Sequence, residues 1–317
     1  MSPGNSSHAL AFLLTGIPRM AWFHLWFFFP CCLMYLITIL GNVTILLIVR
    51  ANRRLHQPMY YFLSMLATTD LGLTLSTLPT VLRVFWFGTG AISFPACLTQ
   101  MFCIHAFSFT ESSVLLAMAF DRYVAICCPL RYSSILTSAR IAKIGLGMVC
   151  RSLTLLPLIC LLTQLPFCRS HVLSHSYCLH QDMIRLACTD TTLNSLVVYG
   201  LTAILLVMGL DAVLICLSYV LILKAVLRLA SWKERLKVFS TCIAHICVVL
   251  AFYVPLIGLS VVHRFGKDLA PLVHITMGNI YILVPAVLNP IIYGVRTKQI
   301  QRRILISVKI YNDRTAR

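Results

Sequence analysis

Ionisable side chains inside long apolar segments are the residues of this sequence best placed to do chemistry. Asp70, Glu111, Arg151 and Asp211 each lie inside one of these segments. If those segments cross a lipid bilayer, a buried charge costs at least about 2.5 kcal/mol, so each group should have a partner. Asp70 and Glu111 are candidates to share a cation, and the alternative is that both are protonated and hydrogen-bonded in a packed core. The sequence assigns no role to Arg151 or Asp211.

A helical face near the end of the sixth apolar segment is a second candidate site. Residues spaced by three and four positions share one face of a helix. Here they are Tyr253, Leu256, Ile257, Ser260 and Arg264. An apolar wall that ends in a hydroxyl and a guanidinium suits a short amphiphile whose anionic head pairs with Arg264. Alternatively, Arg264 is an interfacial arginine that pairs with Asp268 or with lipid phosphate.

Seven apolar segments must position these residues. They run over residues 25–49, 58–82, 96–127, 141–163, 193–224, 237–262 and 271–293. Hydrophobic residues make up 59% of the chain and charged residues only 11%, whereas a soluble domain has about 25% charged residues. A helix of about 20 apolar residues spans the hydrocarbon core, and the first segment is too long for a cleaved signal. The sequence therefore predicts an all-α membrane protein, a seven-transmembrane helix bundle.

The distribution of basic residues predicts the orientation of the bundle. Most of the 26 Lys and Arg residues lie near residues 50–54, 122–143, 224–237 and 296–317. By the positive-inside rule, these segments are cytoplasmic. An odd number of spans then places the N-terminus outside, where the sequon at Asn5 is a glycosylation site. Because the positive charge is divided among separate segments and forms no single patch with interleaved aromatic residues, nucleic-acid binding is not expected.

These segments divide the chain into three parts. Residues 1–24 form an extracellular N-terminus, residues 25–293 form the transmembrane domain, and residues 294–317 form a cytoplasmic tail. The transmembrane domain has a long outer loop at residues 164–192. In the tail, residues 296–309 mix basic and apolar side chains, which predicts a short amphipathic helix on the inner membrane leaflet.

Five strings of residues, in order along the chain, resemble the rhodopsin-like G-protein-coupled receptors and, among them, the olfactory receptors. They are Pro58–Leu71 (PMYYFLSMLATTDL), Met118–Cys127 (MAFDRYVAIC), Ser218–Tyr219 (SY), Lys237–His245 (KVFSTCIAH) and Asn289–Tyr293 (NPIIY). The strings His175–Gln181 (HSYCLHQ) and His263–Gly266 (HRFG) resemble the fish-like class I receptors, and their family 51 in particular. Cys128 departs from the His or Asn that the family often has there. The string Phe252–Pro255 (FYVP) lacks the Trp of other rhodopsin-like receptors, so a Trp toggle cannot be carried over.

The resemblance implies an odorant receptor of the plasma membrane that activates a stimulatory G protein of the olfactory type and raises cyclic AMP. Class I olfactory receptors commonly respond to water-soluble carboxylic acids, which agrees with an anion site at Arg264. The residues expected to contact the ligand are His105, Phe109, His180, Gln181, Tyr253, Ile257, Ser260 and Arg264. Phe252 is expected beside the ligand tail. His105 is alternatively a helix-packing residue.

The resemblance also implies a conformational switch at the inner ends of the helices. Asp121 holds Arg122 in the resting state, and Arg122 is released for G-protein contact in the active state; the alternative is a boundary charge that anchors the helix. Pro290 kinks the seventh helix, and Tyr293 moves inward on activation or anchors the helix at the interface. The switch residues are Asp121, Arg122, Tyr123, Tyr219, His245, Asn289, Pro290 and Tyr293. A sodium ion at Asp70 and Glu111, with Asn42 and Asn289 nearby, is the only cofactor implied.

Four cysteines are expected to face the oxidising outer space. The resemblance implies a disulfide between Cys97 and Cys178, and we expect Cys168 and Cys188 to close the outer loop on itself. The loop is interpreted as a lid. Alternatively, the outer loop holds a zinc or copper site. That site would be built from His171, His175, Cys178 and His180.

A membrane transporter of small organic anions is the main alternative to a receptor, since intramembrane acids also mark ion pathways. Transporters usually show two related halves with interrupted helices, and this sequence shows no such symmetry. No His-Glu-x-x-His stretch or nucleophile elbow is present, so the chain is not expected to be an enzyme. The expected partners are therefore a small-molecule odorant, a heterotrimeric G protein and membrane lipid.

Overall fold

The computed structural model of this 317-residue chain is mostly helical. It describes residues 11–15, 21–87, 89–156, 162–167, 171–173, 175–188, 209–229, 231–266, 269, 271–297, 299–303 and 305. The predicted glycosylation site Asn5 and the predicted disulfide residue Cys168 lie outside these residues. At Arg264 the backbone is described and the side chain is not.

Long helices make up most of the described chain. They are α1 (Ala21–Ala51), α2 (Pro58–Phe87), α3 (Phe94–Cys127), α5 (Ser138–Leu153), α7 (Leu210–Leu227), α8 (Trp232–Phe265) and α9 (Pro271–Arg296). Two short helices, α4 (Tyr132–Ile135) and α6 (His180–Leu186), lie in the connections. The predicted fourth and fifth spans, 141–163 and 193–224, extend beyond the described residues, so α5 and α7 are parts of those spans.

Five helical segments in the described part of the chain are long and apolar enough to cross a membrane. They are Trp26–Ala51, Phe94–Cys127, Leu210–Leu227, Trp232–His263 and Leu272–Val295. α2 has 30 residues and is therefore about 45 Å long at the usual helical rise. On α1, Leu33, Leu36, Leu40 and Leu47 are all more than half exposed. Because a continuous apolar stripe of this kind is unfavourable in water, it is best explained as a lipid-facing surface.

α3 lies at the centre of the bundle, in contact with α2, α5, α7 and α8. α9 closes the bundle by packing on α1, α2 and α8. A Cβ added at Gly41 would lie 2.8 Å from the Cβ of Pro290, closer than real atoms approach. Glycine at this position therefore permits the close approach of α1 to the proline-containing part of α9.

A small sheet covers the outer end of the bundle. Strand β1 (Ala11–Thr15) lies between β2 (Thr89–Ser93) and β3 (Val172–Leu173), so the strand order is β2-β1-β3. β1 pairs antiparallel with β2, with Ala11 opposite Ser93 and Thr15 opposite Thr89. It pairs parallel with β3, with Leu13 opposite Val172. The sheet joins the N-terminal segment and the long outer loop into one layer, which agrees with the interpretation of the loop as a lid.

The chain after α9 turns back onto the inner side of the bundle. Residues 299–303 are helical, Ile300 is fully buried in the inner core, and Gln301 and Arg302 are exposed. The hydroxyl of Tyr60 on α2 donates a hydrogen bond to Oε1 of Gln299 at 2.8 Å. This segment has the amphipathic pattern that the sequence predicts for the tail.

Candidate functional site

The outer loop is fixed to the top of α3 by a disulfide between Cys97 and Cys178, as the resemblance implies. The backbone N–H of Cys178 also donates to Oε1 of Gln100 on α3 at 2.9 Å. Cys188 is disulfide-bonded too, while its predicted partner, Cys168, lies outside the described residues. With Cys178 in a disulfide and His171 exposed, the alternative metal site at His171, His175, Cys178 and His180 is wrong.

The lid brings His180 to the side of His105. Their ring centroids are 6.4 Å apart, with His105 half-buried on α3 and His180 fully buried at the start of α6. Burial lowers the pKa of His180 to about 3, with a further contribution from His105. His180 is therefore neutral at physiological pH. Gln181, the next residue, is half-buried, so two of the predicted polar contacts lie together in α6.

The predicted ligand face of α8 is buried only in part. Tyr253 is buried, and Leu256 and Ser260 are half-buried, with the Ser260 hydroxyl donating to the carbonyl of Leu256 at 2.9 Å. Ile257 is 50% exposed and lies beside the exposed Val261. The prediction that Ile257 lines the pocket is therefore wrong, because its side chain lies on the lipid-facing stripe of α8.

The two phenylalanines expected beside a ligand tail lie in different hydrophobic clusters. Phe109 is buried against Leu155 and Phe102 near the outer end of α5. Phe252 belongs to the large inner core and packs edge-on against Tyr253, with ring centroids 5.0 Å apart. The structure does not bring these two rings together around one site.

A cavity of about 870 Å³ between α2, α3 and α5 is a different feature from the predicted pocket. Its lining includes Met65, Phe102, Phe107 and Met148, and none of the predicted ligand contacts. Nearly all of its wall is apolar. Its polar groups are hydroxyls and a thiol, with no charged side chain among the lining residues, so it offers no ion-pairing partner for an anionic ligand.

Arg151 and Asp211, which had no role assigned from the sequence, form an ion pair inside the bundle. Nη1 of Arg151 on α5 lies 2.9 Å from Oδ2 of Asp211 on α7. The Ser112 hydroxyl on α3 donates to the same oxygen at 2.5 Å and lies 3.0 Å from the hydroxyl of Tyr253 on α8. This network connects four helices and reaches the predicted ligand face at Tyr253. Sequence reasoning missed it because the partners are 60 residues apart in the chain.

The two acids predicted to share a cation lie in a buried polar pocket between α1, α2, α3 and α9. Nδ2 of Asn289 donates to both carboxylate oxygens of Asp70 at 3.1 and 3.0 Å, and Glu111 interacts electrostatically with Asp70. Among the described residues, Oε1 of Glu111 and the amide oxygens of Asn42 and Asn289 are buried and accept no hydrogen bond. Oxygen atoms are the ligands that hard cations prefer, so this donor set fits a sodium ion.

The two charges predicted to form a switch at the inner end of α3 are paired with each other. Nη2 of Arg122 donates to Oδ2 of Asp121 at 2.9 Å, and the hydroxyl of Tyr132 on α4 donates to the other carboxylate oxygen at 2.7 Å. Burial and this hydrogen bond both raise the pKa of Tyr132, so the phenol stays protonated and continues to donate. Tyr132 was not among the residues predicted from the sequence.

The other predicted switch residues lie close to this pair. The hydroxyl of Tyr219 lies 2.6 Å from Nδ1 of His245, with the two rings stacked, and Tyr123 packs in the same inner cluster. Tyr293 is almost fully buried, and its hydroxyl lies 3.9 Å from Sδ of Met118. Tyr293 therefore packs inside the bundle and does not anchor the helix at the membrane surface. Pro290 lies within α9.

Comparison with known proteins agrees with this architecture. A family model described as olfactory receptor matches residues 31–311. The chain is 57% identical to "Olfactory receptor 51E2" of Rattus norvegicus over 99% of this chain and 98% of that receptor. It is 56% identical to "Olfactory receptor 51G2" of Homo sapiens over 96% of this chain and 97% of that receptor, and 54% identical to "Olfactory receptor 51E1" of Homo sapiens.

Proposed function

Because this chain belongs to the olfactory receptor family of seven-transmembrane, G-protein-coupled receptors, we propose that its odorant is a small carboxylic acid. We also propose that it signals through a stimulatory G protein and cyclic AMP. The chain is a multi-pass membrane receptor and not an enzyme. The same family assignment disfavours the transporter alternative.

The observation that carries the acid proposal is the position of Arg264. It lies in α8 one helical turn beyond Ser260, on the side of the helix where Tyr253 is buried. Asp182, a described acid of the lid, already bonds to His175. A guanidinium binds a carboxylate by two parallel, charge-assisted hydrogen bonds. The neutral His180 and Gln181 supply polar contacts that do not compete with this charge.

The test measures cyclic AMP in cells that express the receptor. Short and medium aliphatic acids are compared with alcohols of equal chain length, for wild type, Arg264→Ala and Arg264→Lys. We expect a response to acids over alcohols that Arg264→Ala abolishes and Arg264→Lys retains in part, since Lys keeps the charge but not the bidentate geometry. His171→Ala, at an exposed position of the outer loop, is the control. An acid response that survives in Arg264→Ala at equal surface expression would move the anion site elsewhere.

The membrane orientation follows from the same reasoning. We place the receptor in the plasma membrane with the glycosylated Asn5 outside and the basic segments inside. The disulfide between Cys97 and Cys178 supports an oxidising outer side, because disulfides persist in such compartments. Antibody labelling of N-terminal and C-terminal epitope tags on intact cells tests this orientation, and labelling of the C-terminal tag without permeabilisation would contradict it.

A sodium ion between Asp70 and Glu111 is our second proposal, carried by the three buried oxygens described above. Asp70 and Glu111 would hold the ion by charge, with Asn42 and Asn289 as neutral oxygen donors; the bound ion would supply positive charge that offsets the two acids. Glu111→Gln and Asp70→Asn are each expected to remove any sodium dependence of thermal stability, measured in sodium against choline chloride. Equal stability of the wild type in both salts would exclude the ion.

A further inference from the structure

Three histidines and an aspartate form a buried cluster where the lid meets the outer ends of α8 and α9. His175 and Asp182 belong to the lid, His263 to the last turns of α8 and His274 to the first turn of α9. Each is less than one-tenth exposed. The rings of His175 and His263 are stacked with their centroids 5.2 Å apart and an angle of 16° between their planes.

The hydrogen bonds of this cluster determine which ring nitrogens carry protons. Nδ1 of His175 lies 2.5 Å from a carboxylate oxygen of Asp182, and Nδ1 of His263 lies 3.0 Å from the carbonyl oxygen of Leu259. Carboxylate and carbonyl oxygens only accept hydrogen bonds, so both Nδ1 atoms are the donors. When Nδ1 of a neutral ring is the donor, the lone pair is on Nε2.

Neither of these lone pairs has a partner in the part of the chain that the structure describes. Nε2 of His175 and Nε2 of His263 are buried and have no hydrogen-bond partner among the described residues. A buried polar atom left in this state is unfavourable, and here two such atoms occur in stacked rings. One cation between them would satisfy both.

The ligand types in the cluster select the class of cation. One ligand atom from each of His175, Asp182 and His263 lies within 4.8 Å of the others. Neutral imidazole is a ligand for zinc and copper. A carboxylate that accepts from the other nitrogen of a metal-binding histidine fixes its tautomer and orientation, and Asp182 is placed to do this for His175.

We propose that a divalent transition-metal ion, Zn²⁺ or Cu²⁺, binds between His175 and His263 through their Nε2 atoms, with Asp182 as the carboxylate that orients His175 through its Nδ1 atom. The ion would join the lid directly to α8, one residue before Arg264. The edge-on ring of His274, with its centroid 5.7 Å from that of His263, flanks the site on the α9 side. This site is separate from the rejected one, since it uses neither Cys178 nor His180.

The test measures thermal unfolding of the purified full-length receptor in detergent. The receptor carries a peptide tag without histidines, and its free thiols are alkylated so that they do not bind metal. ZnCl₂ is compared with MgCl₂, and EDTA is then added. A ligand that binds only the folded state raises the midpoint of unfolding in proportion to its saturation, so Zn²⁺ is expected to raise it by several degrees, reversibly.

The variants locate the ion. His263→Gln and Asp182→Asn are each expected to lose most of the Zn²⁺-induced shift, whereas His171→Gln, an exposed histidine of the same loop, keeps it. An equal shift in wild type and His263→Gln would place the metal elsewhere and overturn the proposal. No shift in the wild type would show that the cluster is a structural element without an ion.

A second measurement needs no variant and no odorant. Co²⁺ bound by imidazole ligands gives visible d–d absorption, and one equivalent of Zn²⁺ should remove it. Absence of this absorption in the folded wild type would also overturn the proposal. Neither experiment depends on the identity of the odorant, so failure of the acid proposal and failure of the metal proposal are distinguishable.

Discussion

Arg151 on α5 and Asp211 on α7 form an ion pair inside the bundle, with Nη1 of the arginine 3.0 and 2.9 Å from the two carboxylate oxygens. Asp211 is buried, while the Arg151 side chain is about one-quarter exposed. In a bilayer, neither charge is stable without a partner. Oδ2 of Asp211 also accepts a hydrogen bond from the Ser112 hydroxyl, which links α5 and α7 to the central helix α3.

Replacing one partner of this ion pair should lower the stability of the receptor more than replacing both partners. Asp211→Asn or Arg151→Gln leaves an uncompensated charge, which typically costs about 3–5 kcal/mol. The double variant Arg151→Met with Asp211→Leu should recover much of that loss. Surface expression and thermal stability in detergent measure the effect, with Lys143→Gln on the exposed side of α5 as the control. Additive losses in the double variant would contradict a paired role.

Tyr253→Phe should separate signalling from folding at the candidate ligand face. It removes only the hydroxyl that lies 3.0 Å from Ser112, a change worth about 1 kcal/mol, and leaves the ring packed against Phe252. We expect near-normal surface expression with a weaker odorant response. Tyr61→Phe, on a partly buried ring of α2, controls for loss of a phenol. A normal dose–response curve in Tyr253→Phe would show that the hydroxyl network does not couple the ligand face to the interior.

The face of α8 shows how far helical spacing predicts a site. At 100° per residue, Ile257 lies about 40° from Tyr253, on the side of Val261, whereas Leu256 lies about 60° away on the opposite side. Spacing alone places both residues on one face. Which of them points into the bundle depends on where the neighbouring helices lie, and in the structure Leu256 is half-buried while Ile257 is exposed.

The seven spans and the Cys97–Cys178 disulfide were predictable for different reasons. The spans follow from hydrophobicity, which is a local property of the sequence, and the disulfide follows from a family resemblance. The pairing of Arg151 with Asp211, or of His175 with His263, joins distant segments. A single sequence contains the chemical types of these residues but no information on which of them meet.

Asp121→Asn should raise basal signalling. The substitution removes a charge-assisted partner of Arg122, and a loss of about 1.5 kcal/mol changes the balance between held and released arginine roughly tenfold. Cyclic AMP without odorant, divided by surface expression, measures it. Tyr132→Phe, which removes the second hydrogen bond to Asp121, should raise basal output less. Unchanged output in both variants would mean that the Asp121–Arg122 pair only anchors the helix.

The disulfide between Cys97 and Cys178 should be required for the lid to fold onto α3 and for the receptor to reach the cell surface. It closes a loop of 81 residues, and in the chain-entropy treatment a loop of that length contributes about 4.5 kcal/mol. The double variant Cys97→Ser with Cys178→Ser leaves no unpaired thiol from the bridge and should lose most of its surface expression. Cys216→Ser, at a free and exposed cysteine of α7, should express normally.

Some molecules of the double variant are still expected at the cell surface. In these molecules the lid is no longer attached to α3, so His180 is no longer held beside His105. We therefore expect the odorant response of the double variant to fall by a larger factor than its surface expression. Equal falls in response and expression would show that the disulfide stabilises the fold without positioning the lid residues.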